Sequence, residues 1–285
     1  MLDLASDVIR DVVERALRED VGSGDLTTLA TVPAEARAEA RFVFREAGVL
    51  CGLPVLRAVF AAVDAALVVT ELRPEGARIE RGEAVATVAG PARGLLTGER
   101  VALNLVQRMS GVATLAARYV EAVRGTRARI LDTRKTTPGL RALEKYAVRV
   151  GGATNHRFGL YDGVMLKDNH LAILAAQGFG LAEAVARARG AVGPMVRVEV
   201  EVESVEQAAV AASAGADMIM LDNMPPEQLR AAVAVIAGRA LSEASGGITL
   251  ETIRAVAESG VDYISVGALT HSARALDIGL DIEVG

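Results

Sequence analysis

Residues 163–170 have the sequence GVMLKDNH, in which a short apolar run is followed at once by four polar residues. Such a run is typical of a buried parallel strand, and the polar residues mark its carboxyl end. The same arrangement recurs five more times between residues 129 and 271. The six predicted strands, each with its polar group, are Arg129-Ile130-Leu131 before Asp132-Thr133-Arg134-Lys135, Gly163–Leu166 before Lys167-Asp168-Asn169-His170, Val196–Val202 with Glu199 and Glu201, Met218–Leu221 before Asp222-Asn223, Ala240–Glu243 before Ser245-Gly246-Gly247, and Tyr263–Val266 before Gly267–His271.

Alanine-rich helical segments separate most of these strands, which predicts parallel strands joined by helical crossovers. In an α/β barrel the carboxyl ends of all strands meet at one mouth, where the active site lies. In a doubly wound open sheet only the two or three strands at a switch point would carry such groups. Because all six strand ends are polar, we favour a complete or incomplete α/β barrel over the doubly wound sheet.

The composition of the 285 residues excludes several functions. A net charge of −5 and 3% aromatic residues argue against a nucleic-acid partner, which needs a basic face and stacking rings. No apolar run is long enough for a membrane span, and Met1 to Arg10 lack a signal-peptide pattern. The single cysteine, Cys51, lies among apolar residues and predicts a buried thiol. We therefore expect a cytoplasmic protein that binds neither nucleic acid nor membrane.

The first hundred residues have a different pattern. Leu4 to Leu17 show helical periodicity, and residues 38–90 predict short strands around one helix. Residues 74–88 are similar to half of a biotinyl or lipoyl carrier domain, but they lack the lysine that such carriers need, so we expect a structural sheet domain. A helix predicted from Glu99 to about Val123 marks the change to the barrel.

All three lysines of the chain, Lys135, Lys145 and Lys167, fall between residues 131 and 170, although arginine is abundant elsewhere. Lys135 and Lys167 follow predicted strands, as does Arg134, and His156-Arg157 precede another. So many positive groups at one mouth indicate that a multiply charged anion binds there.

Glycine-rich turns follow the last two predicted strands, at Ser245-Gly246-Gly247 and Val266-Gly267-Ala268. Barrel enzymes often hold phosphate at this position with backbone N–H groups. Glu201 and Asp222 follow consecutive strands, and their carboxylates suit Mg²⁺ carried in by a polyphosphate. Glu199 and Glu203 share the face of Glu201, so the sequence leaves the choice among these three open.

At these residues the chain resembles the quinolinate phosphoribosyltransferase family over nearly its whole length. The matching motifs are Glu19–Thr28, Glu99-Arg100 with Asn104, Ser110–Thr114, Asp132–Gly139, Asn155-His156-Arg157, Lys167–His170, Leu221-Asp222-Asn223, Glu243–Ile248 and Ser265–His271. The resemblance implies the type II phosphoribosyltransferase architecture: an N-terminal α/β sandwich domain (1–110) and an open, incomplete α/β barrel (111–274). It also implies that the tail, residues 275–285, packs back onto the first domain.

The resemblance further implies the reaction and its residues. Quinolinate and phosphoribosyl diphosphate would give nicotinate mononucleotide, diphosphate and carbon dioxide, in the de novo synthesis of NAD. A homodimer or higher oligomer would complete each site with Arg100 of the partner, and Mg²⁺ would bind Glu201 and Asp222 directly or through water. The catalytic residues would be Lys135, Lys167, Glu201 and Asp222. Quinolinate would contact Arg100, Thr133, Arg134, His156, Arg157 and Lys167. Phosphoribosyl diphosphate would contact Lys135, Glu201, Asp222, Ser245, Gly246, Gly247, Val266, Gly267, Ala268 and His271.

Three other functions are open on sequence grounds. A paralogue within the family would keep the phosphate turns and change the acceptor, although Arg134, His156 and Arg157 argue against it. A Schiff-base aldolase would use a lysine at a barrel strand end, such as Lys167. A carrier or docking module is the alternative outside enzymes, and the missing lysine of residues 74–88 argues against it.

Overall fold

The computed structural model describes residues 4–283, which divide into two compact units. The first unit holds residues 4–117, 136–152 and 269–283, and the second holds 118–135 and 153–268. The helices are α1 (Ser6–Val21), α2 (Leu26–Thr31), α3 (Leu53–Val63), α4 (Ala92–Ala122), α5 (Arg141–Val150), α6 (Asp168–Ala175), α7 (Leu181–Ala191), α8 (Val205–Ser213), α9 (Pro226–Ile236), α10 (Ile253–Ala257) and α11 (Ala268–His271). The strands are β1 (Arg37–Phe44), β2 (Gly48–Val49), β3 (Val68–Glu71), β4 (Arg78–Ile79), β5 (Ala84–Pro91), β6 (Arg129–Leu131), β7 (Val164–Leu166), β8 (Val198–Val202), β9 (Met218–Asp222), β10 (Leu241–Ser245), β11 (Tyr263–Ser265) and β12 (Ile278–Glu283).

The second unit contains a six-stranded parallel sheet in the order β6-β11-β10-β9-β8-β7. All six strands predicted from the apolar runs are present, with ends that differ from the predicted ones by at most two residues. Helices α6 to α10 alternate with the later strands, as the crossover rule requires. The strands β6 and β7 stand at opposite ends of the order, so the expected open α/β barrel is confirmed.

Strand β8 shows how period-two alternation sorts the side chains of this sheet. Val198, Val200 and Val202 are buried on one face, while Glu199 and Glu201 lie on the other. In the register, Glu201 pairs with Met220 of β9, and Asp222 of β9 pairs with Ser245 of β10. The polar strand ends are therefore brought to one edge of the sheet.

The first unit is built on an antiparallel sheet in the order β12-β1-β5-β3. Its buried core includes Phe42 of β1 and Phe60 of α3, whose rings meet edge to face with centroids 6.1 Å apart. Within the described residues no helix combines the length and the apolar character needed to cross a membrane.

Helix α4 begins seven residues before the predicted start at Glu99. Tertiary packing explains the extension, because Gly98 lies so close to α3 that an added Cβ would be 3.0 Å from the ring of Phe60. Glycine at this position lowers intrinsic helix propensity but lets the two helices approach.

One buried ion pair ties three chain segments of the first unit together. Glu144 of α5 is 1% exposed, and its carboxylate accepts hydrogen bonds from the Arg108 guanidinium at 2.7 and 3.0 Å. The same carboxylate accepts the N–H and the hydroxyl of Thr137 at 3.0 and 2.7 Å. Arg108 also donates to the carbonyl oxygens of Thr270 and Ala273. The pair thus joins α4, the segment of residues 137–144 and the segment of residues 270–273.

We expect Glu144→Ala to lower the free energy of unfolding by about 3–5 kcal/mol, because it leaves the half-buried Arg108 charge without its carboxylate. The control is Glu121→Ala, which removes an exposed pair with Arg124 and should cost less than about 1 kcal/mol. Urea unfolding of both variants measures the difference. Equal costs would show that the buried pair contributes no more than the exposed one.

Candidate active site

A cavity of about 660 Å³ opens at the carboxyl ends of the second unit's strands, and we call it the mouth cavity. It is lined by Thr133, Arg134, Lys135, His156, Arg157, Met165, Lys167, Glu201, Met220, Asp222, Asn223, Ser245, Gly246, Gly247 and Ser265. Eleven of these were predicted as site residues from the sequence. Parallel strands explain this agreement, because their carboxyl ends meet at one edge of the sheet.

Five predicted site residues are not among the described residues that line the mouth cavity: Arg100, Val266, Gly267, Ala268 and His271. Arg100 is exposed on α4, and His271 is exposed with its Nδ1 2.7 Å from the Ser272 hydroxyl. Both belong to the first unit. Val266 is buried, and its N–H donates to the carbonyl of Leu131.

The structure separates the three glutamates that the sequence left as alternatives. Glu201 lines the mouth cavity and its carboxylate is 2.9 Å from the Lys167 ammonium. Glu199 lies two residues before Glu201 on the same face of β8 and is 5% exposed. Glu203 follows the strand and is exposed, with its N–H bonded to Gln207. Of the three, Glu201 is the one that borders the mouth cavity.

Two guanidinium groups lie near each other at the mouth. Burial lowers the pKa of Arg157, and repulsion from the positive charge of Arg134 lowers it further. The Arg157 guanidinium is held by the carbonyl of Gly163 at 2.8 Å. Because the two positive charges repel each other, an anion bound between Arg134 and Arg157 would be stabilised by both.

The segment that carries His156 and Arg157 is fixed by a buried carboxylate. Asp132, at the end of β6, is 0% exposed and accepts the backbone N–H of His156 at 2.8 Å. It also accepts the side-chain amide of Asn155 at 2.7 Å. Thr154 forms a parallel bridge with Leu131, so this segment runs beside the β6 edge of the sheet.

Below the mouth, His156 meets two buried carboxylates: Glu199, one of the three glutamates left open by the sequence, and Glu243, for which the sequence predicted no role. Its Nε2 lies 3.1 Å from Glu199 and 3.6 Å from Glu243, which is 0% exposed. The Ser265 hydroxyl donates to the other oxygen of Glu243. Burial, with the negative charge of Glu199 as a second cause, raises the pKa of Glu243 to about 8. Period-two alternation along β10 could have revealed Glu243 from the sequence, since it precedes Ser245, which lines the mouth cavity, by two positions.

The Ser245 turn packs closely against the residue that follows Asp222. Asn223 has a left-handed backbone, and its N–H donates to the carbonyl of Ser245 at 2.9 Å. Gly246 has φ +96°, and an added Cβ would lie 2.2 Å from the Asn223 side-chain oxygen. Glycine is therefore required both by conformation and by space. The turn forms part of the wall of the mouth cavity.

His170 lies at the start of α6, where its Nδ1 accepts the N–H of Lys167 at 3.0 Å. Asp168 likewise accepts the N–H of Asn169. These bonds satisfy backbone donors at the start of α6.

Together the fold and the mouth cavity define an α/β-barrel enzyme that acts on anionic substrates. Family models of the quinolinate phosphoribosyl transferase C-terminal and N-terminal domains match residues 112–281 and 25–110. The chain belongs to the quinolinate phosphoribosyltransferase family, and the resemblance found in the sequence is confirmed.

Relatives from several organisms agree. The chain is 49% identical over 288 residues to the nicotinate-nucleotide pyrophosphorylase (carboxylating) of Mycobacterium leprae, covering 98% of this chain and 99% of the relative. It is 45% identical over 276 residues to a probable enzyme of the same name in Bacillus subtilis, covering 97% and 94%. The crystal structure of NadC from Streptococcus pyogenes matches at 45% identity and a TM-score of 0.95, covering 99% of each chain.

We expect Gly246→Ala to cost more stability than Gly247→Ala, although both glycines have positive φ. The first variant adds the clash with Asn223 and should lower the free energy of unfolding by about 2–4 kcal/mol. The second adds a methyl group with no heavy atom within 4 Å and should cost about 1–2 kcal/mol. Urea unfolding measures both, and equal losses would contradict the close packing.

The pKa of Glu243 predicts a pH dependence of stability. The folded state holds the Glu243 proton more tightly than the unfolded state, so the contribution of Glu243 to stability is complete below about pH 4.5 and is lost as pH rises toward 8. Glu243→Gln stays neutral and should lack this contribution. Unfolding free energies measured from pH 5 to 8 should therefore change in favour of the variant as pH rises. Parallel curves would show that Glu243 is ionised throughout.

Proposed function

We propose that this chain transfers the phosphoribosyl group of phosphoribosyl diphosphate to quinolinate and releases diphosphate and carbon dioxide. The product is nicotinate mononucleotide, a precursor of NAD. The observation that carries the proposal is the mouth cavity, where four cationic side chains lie with two carboxylates and a glycine turn. Membership of the family supplies the choice of substrates.

The cytoplasm stays our prediction for the location, and residues 1–110 and 111–274 stay our predicted domains.

Quinolinate carries two carboxylates, and we propose that Arg134 and Arg157 bind them. The two guanidinium groups already repel each other, so a dianion removes an unfavourable interaction as well as adding hydrogen bonds. Thr133, His156 and Lys167 line the same cavity and complete the proposed acceptor site. Arginine suits this role because its planar fork matches a carboxylate.

Phosphoribosyl diphosphate would occupy the other side of the mouth. Its phosphates would meet Lys135 and the backbone of Ser245, Gly246 and Gly247, with Val266, Gly267, Ala268 and His271 as further proposed contacts. Glu201 and Asp222 are hard oxygen donors at the cavity wall, which fits Mg²⁺ held directly or through water. When bound there, the ion would offset the negative charge of the diphosphate.

The reaction requires one bond exchange and one bond cleavage. The pyridine nitrogen forms a bond to the anomeric carbon as the bond from that carbon to the diphosphate oxygen breaks. Glu201 and Asp222 would stabilise the positive charge that develops on the ribose, while Lys135 would offset the leaving group. The carbon–carbon bond to the adjacent carboxylate then breaks, and its electron pair stays on the ring carbon beside the cationic nitrogen. A proton adds to that carbon.

We also propose that the active form is a homodimer, or a higher oligomer, in which Arg100 reaches the partner's site. Arg100 is exposed on α4. Several large apolar side chains are also exposed, including Leu26 at 82%, Leu160 at 72% and Tyr161 at 81%. Neighbouring exposed apolar side chains, such as Leu160 and Tyr161, form the kind of surface that a second chain can cover.

The direct test is to incubate the protein with Mg²⁺, phosphoribosyl diphosphate and either quinolinate or nicotinate. We expect nucleotide and carbon dioxide from quinolinate and no product from nicotinate, measured by mass spectrometry and gas release. Product from nicotinate alone, or from neither acid, would contradict the proposal and indicate a paralogue with a different acceptor.

We expect Arg157→Ala to lower kcat/KM for quinolinate by about 10- to 100-fold, because a charge-assisted bond to a carboxylate is lost. KM for phosphoribosyl diphosphate should change little. The control is Arg230→Ala, which removes an exposed arginine of α9 and should leave both constants unchanged. Wild-type kcat/KM for Arg157→Ala would show that this residue does not bind the substrate.

A further inference from the structure

Two buried carboxylates, Glu199 and Glu243, lie beneath the mouth cavity against the proposed acceptor residue His156, and neither has a role in the proposed reaction. Each carboxylate lies two residues before a mouth residue on the same strand, Glu199 before Glu201 and Glu243 before Ser245. One oxygen of Glu199 and one of Glu243 are buried without a hydrogen-bond partner. A buried carboxylate oxygen without a hydrogen bond lowers the stability of the folded state, so the presence of two such oxygens needs an explanation.

Hydrogen bonding decides which nitrogen of His156 carries the proton. The backbone N–H of Arg157 lies 2.7 Å from Nδ1, and a backbone nitrogen can only donate. Nδ1 is therefore an acceptor, so the ring proton of the neutral imidazole is on Nε2, which faces both carboxylates. Three ligands at such spacing are also compatible with a metal ion. A metal ion at Nε2 would take the lone pair of that nitrogen and leave the ring proton on Nδ1. Because Nδ1 accepts the N–H of Arg157, it cannot carry that proton, which argues against a metal ion here.

A continuous series of contacts links Glu243 to Arg157. The Ser265 hydroxyl on β11 orients the Glu243 carboxylate, and Glu243 faces the imidazole of His156. The imidazole in turn accepts the N–H of Arg157. Glu199 approaches the same Nε2 from β8. The raised pKa of Glu243 is consistent with a neutral carboxyl group beside the imidazole.

Resting on the proposed function, we infer that Glu243 is a positioning residue that acts through His156 to hold Arg157 in place for the acceptor's carboxylate. A rotation of the imidazole would remove its bond to the Arg157 backbone, while Asp132 would still hold the backbone of His156. The arginine would then lose preorganisation, which weakens substrate binding more than it changes the chemistry.

Kinetics of Glu243→Ala and Glu243→Gln test this role. Glu243→Ala should raise KM for quinolinate by at least about 10-fold, with kcat and KM for phosphoribosyl diphosphate within about 3-fold of wild type. Glu243→Gln keeps a carbonyl oxygen toward His156 and should restore KM to within about 3-fold. Glu227→Ala, an exposed residue of α9, is the control for loss of a carboxylate. Unchanged KM for quinolinate, or equal increases in both KM values, would overturn the inference.

A double-mutant cycle separates positioning from general destabilisation. In the Arg157→Ala background, Glu243→Ala should have little further effect on KM for quinolinate, because the residue that it positions is gone. Additive effects would mean that Glu243 acts independently of Arg157. If Glu243→Ala does not fold, Ser265→Ala removes only the donor that orients the carboxylate. It should raise the same KM by a smaller factor, and wild-type values would count against the inference.

Nitrogen-15 NMR of histidine-labelled protein gives a readout that is independent of turnover. The chain has three histidines, so His156→Gln assigns the relevant signal. We expect the Nε2–H form in the wild-type protein and loss of that preference in Glu243→Ala. An Nδ1–H form in the wild type would overturn the inference. Absence of turnover with quinolinate would refute the proposed function instead, and the NMR result would still decide the contact.

Discussion

The arrangement of the second unit depends on one buried carboxylate, that of Asp132. A charge removed from water must be compensated by donors, and Asp132 receives them from the His156 backbone and the Asn155 side chain. These bonds fasten a segment without regular structure alongside β6, where the sheet would otherwise have a free edge. The residues that follow, His156 and Arg157, are thereby delivered to the mouth cavity.

Charge in the second unit is arranged in two layers that follow from strand alternation. The upper layer contains the cations of the mouth together with Glu201 and Asp222. The lower layer contains Glu199 and Glu243, each two residues earlier in its strand. The lower carboxylates have little access to water, so the raised pKa of Glu243 is the expected response to burial beside a like charge. Glu199 thus lies below Glu201 on β8, and Glu243 lies below Ser245 on β10.

The sequence predicts the barrel and most of the mouth because both depend on local patterns. Apolar runs define the strands, and the polar residue after each run must lie at the common carboxyl edge. The sequence does not choose among Glu199, Glu201 and Glu203, because period two places all three on one face. They differ in their distance from the carboxyl end of β8, which the structure places at Val202. The contact of Glu243 with His156 joins residues 87 positions apart, and no local pattern encodes it. The early start of α4 likewise depends on packing against Phe60.

Strand β12 has a consequence for the order in which the chain can fold during synthesis. It pairs with β1 along the whole register from Glu39 to Phe44, yet more than two hundred residues separate the two strands. While the ribosome is still adding the barrel, β1 has β5 on one side and an unsatisfied ladder on the other. The Arg108 guanidinium likewise lacks two of its hydrogen-bond acceptors, the carbonyl groups of Thr270 and Ala273, until those residues have been synthesised. The first unit to emerge is therefore the last to be completed, and its open edge is the place where a nascent chain is most exposed to pairing with a neighbour.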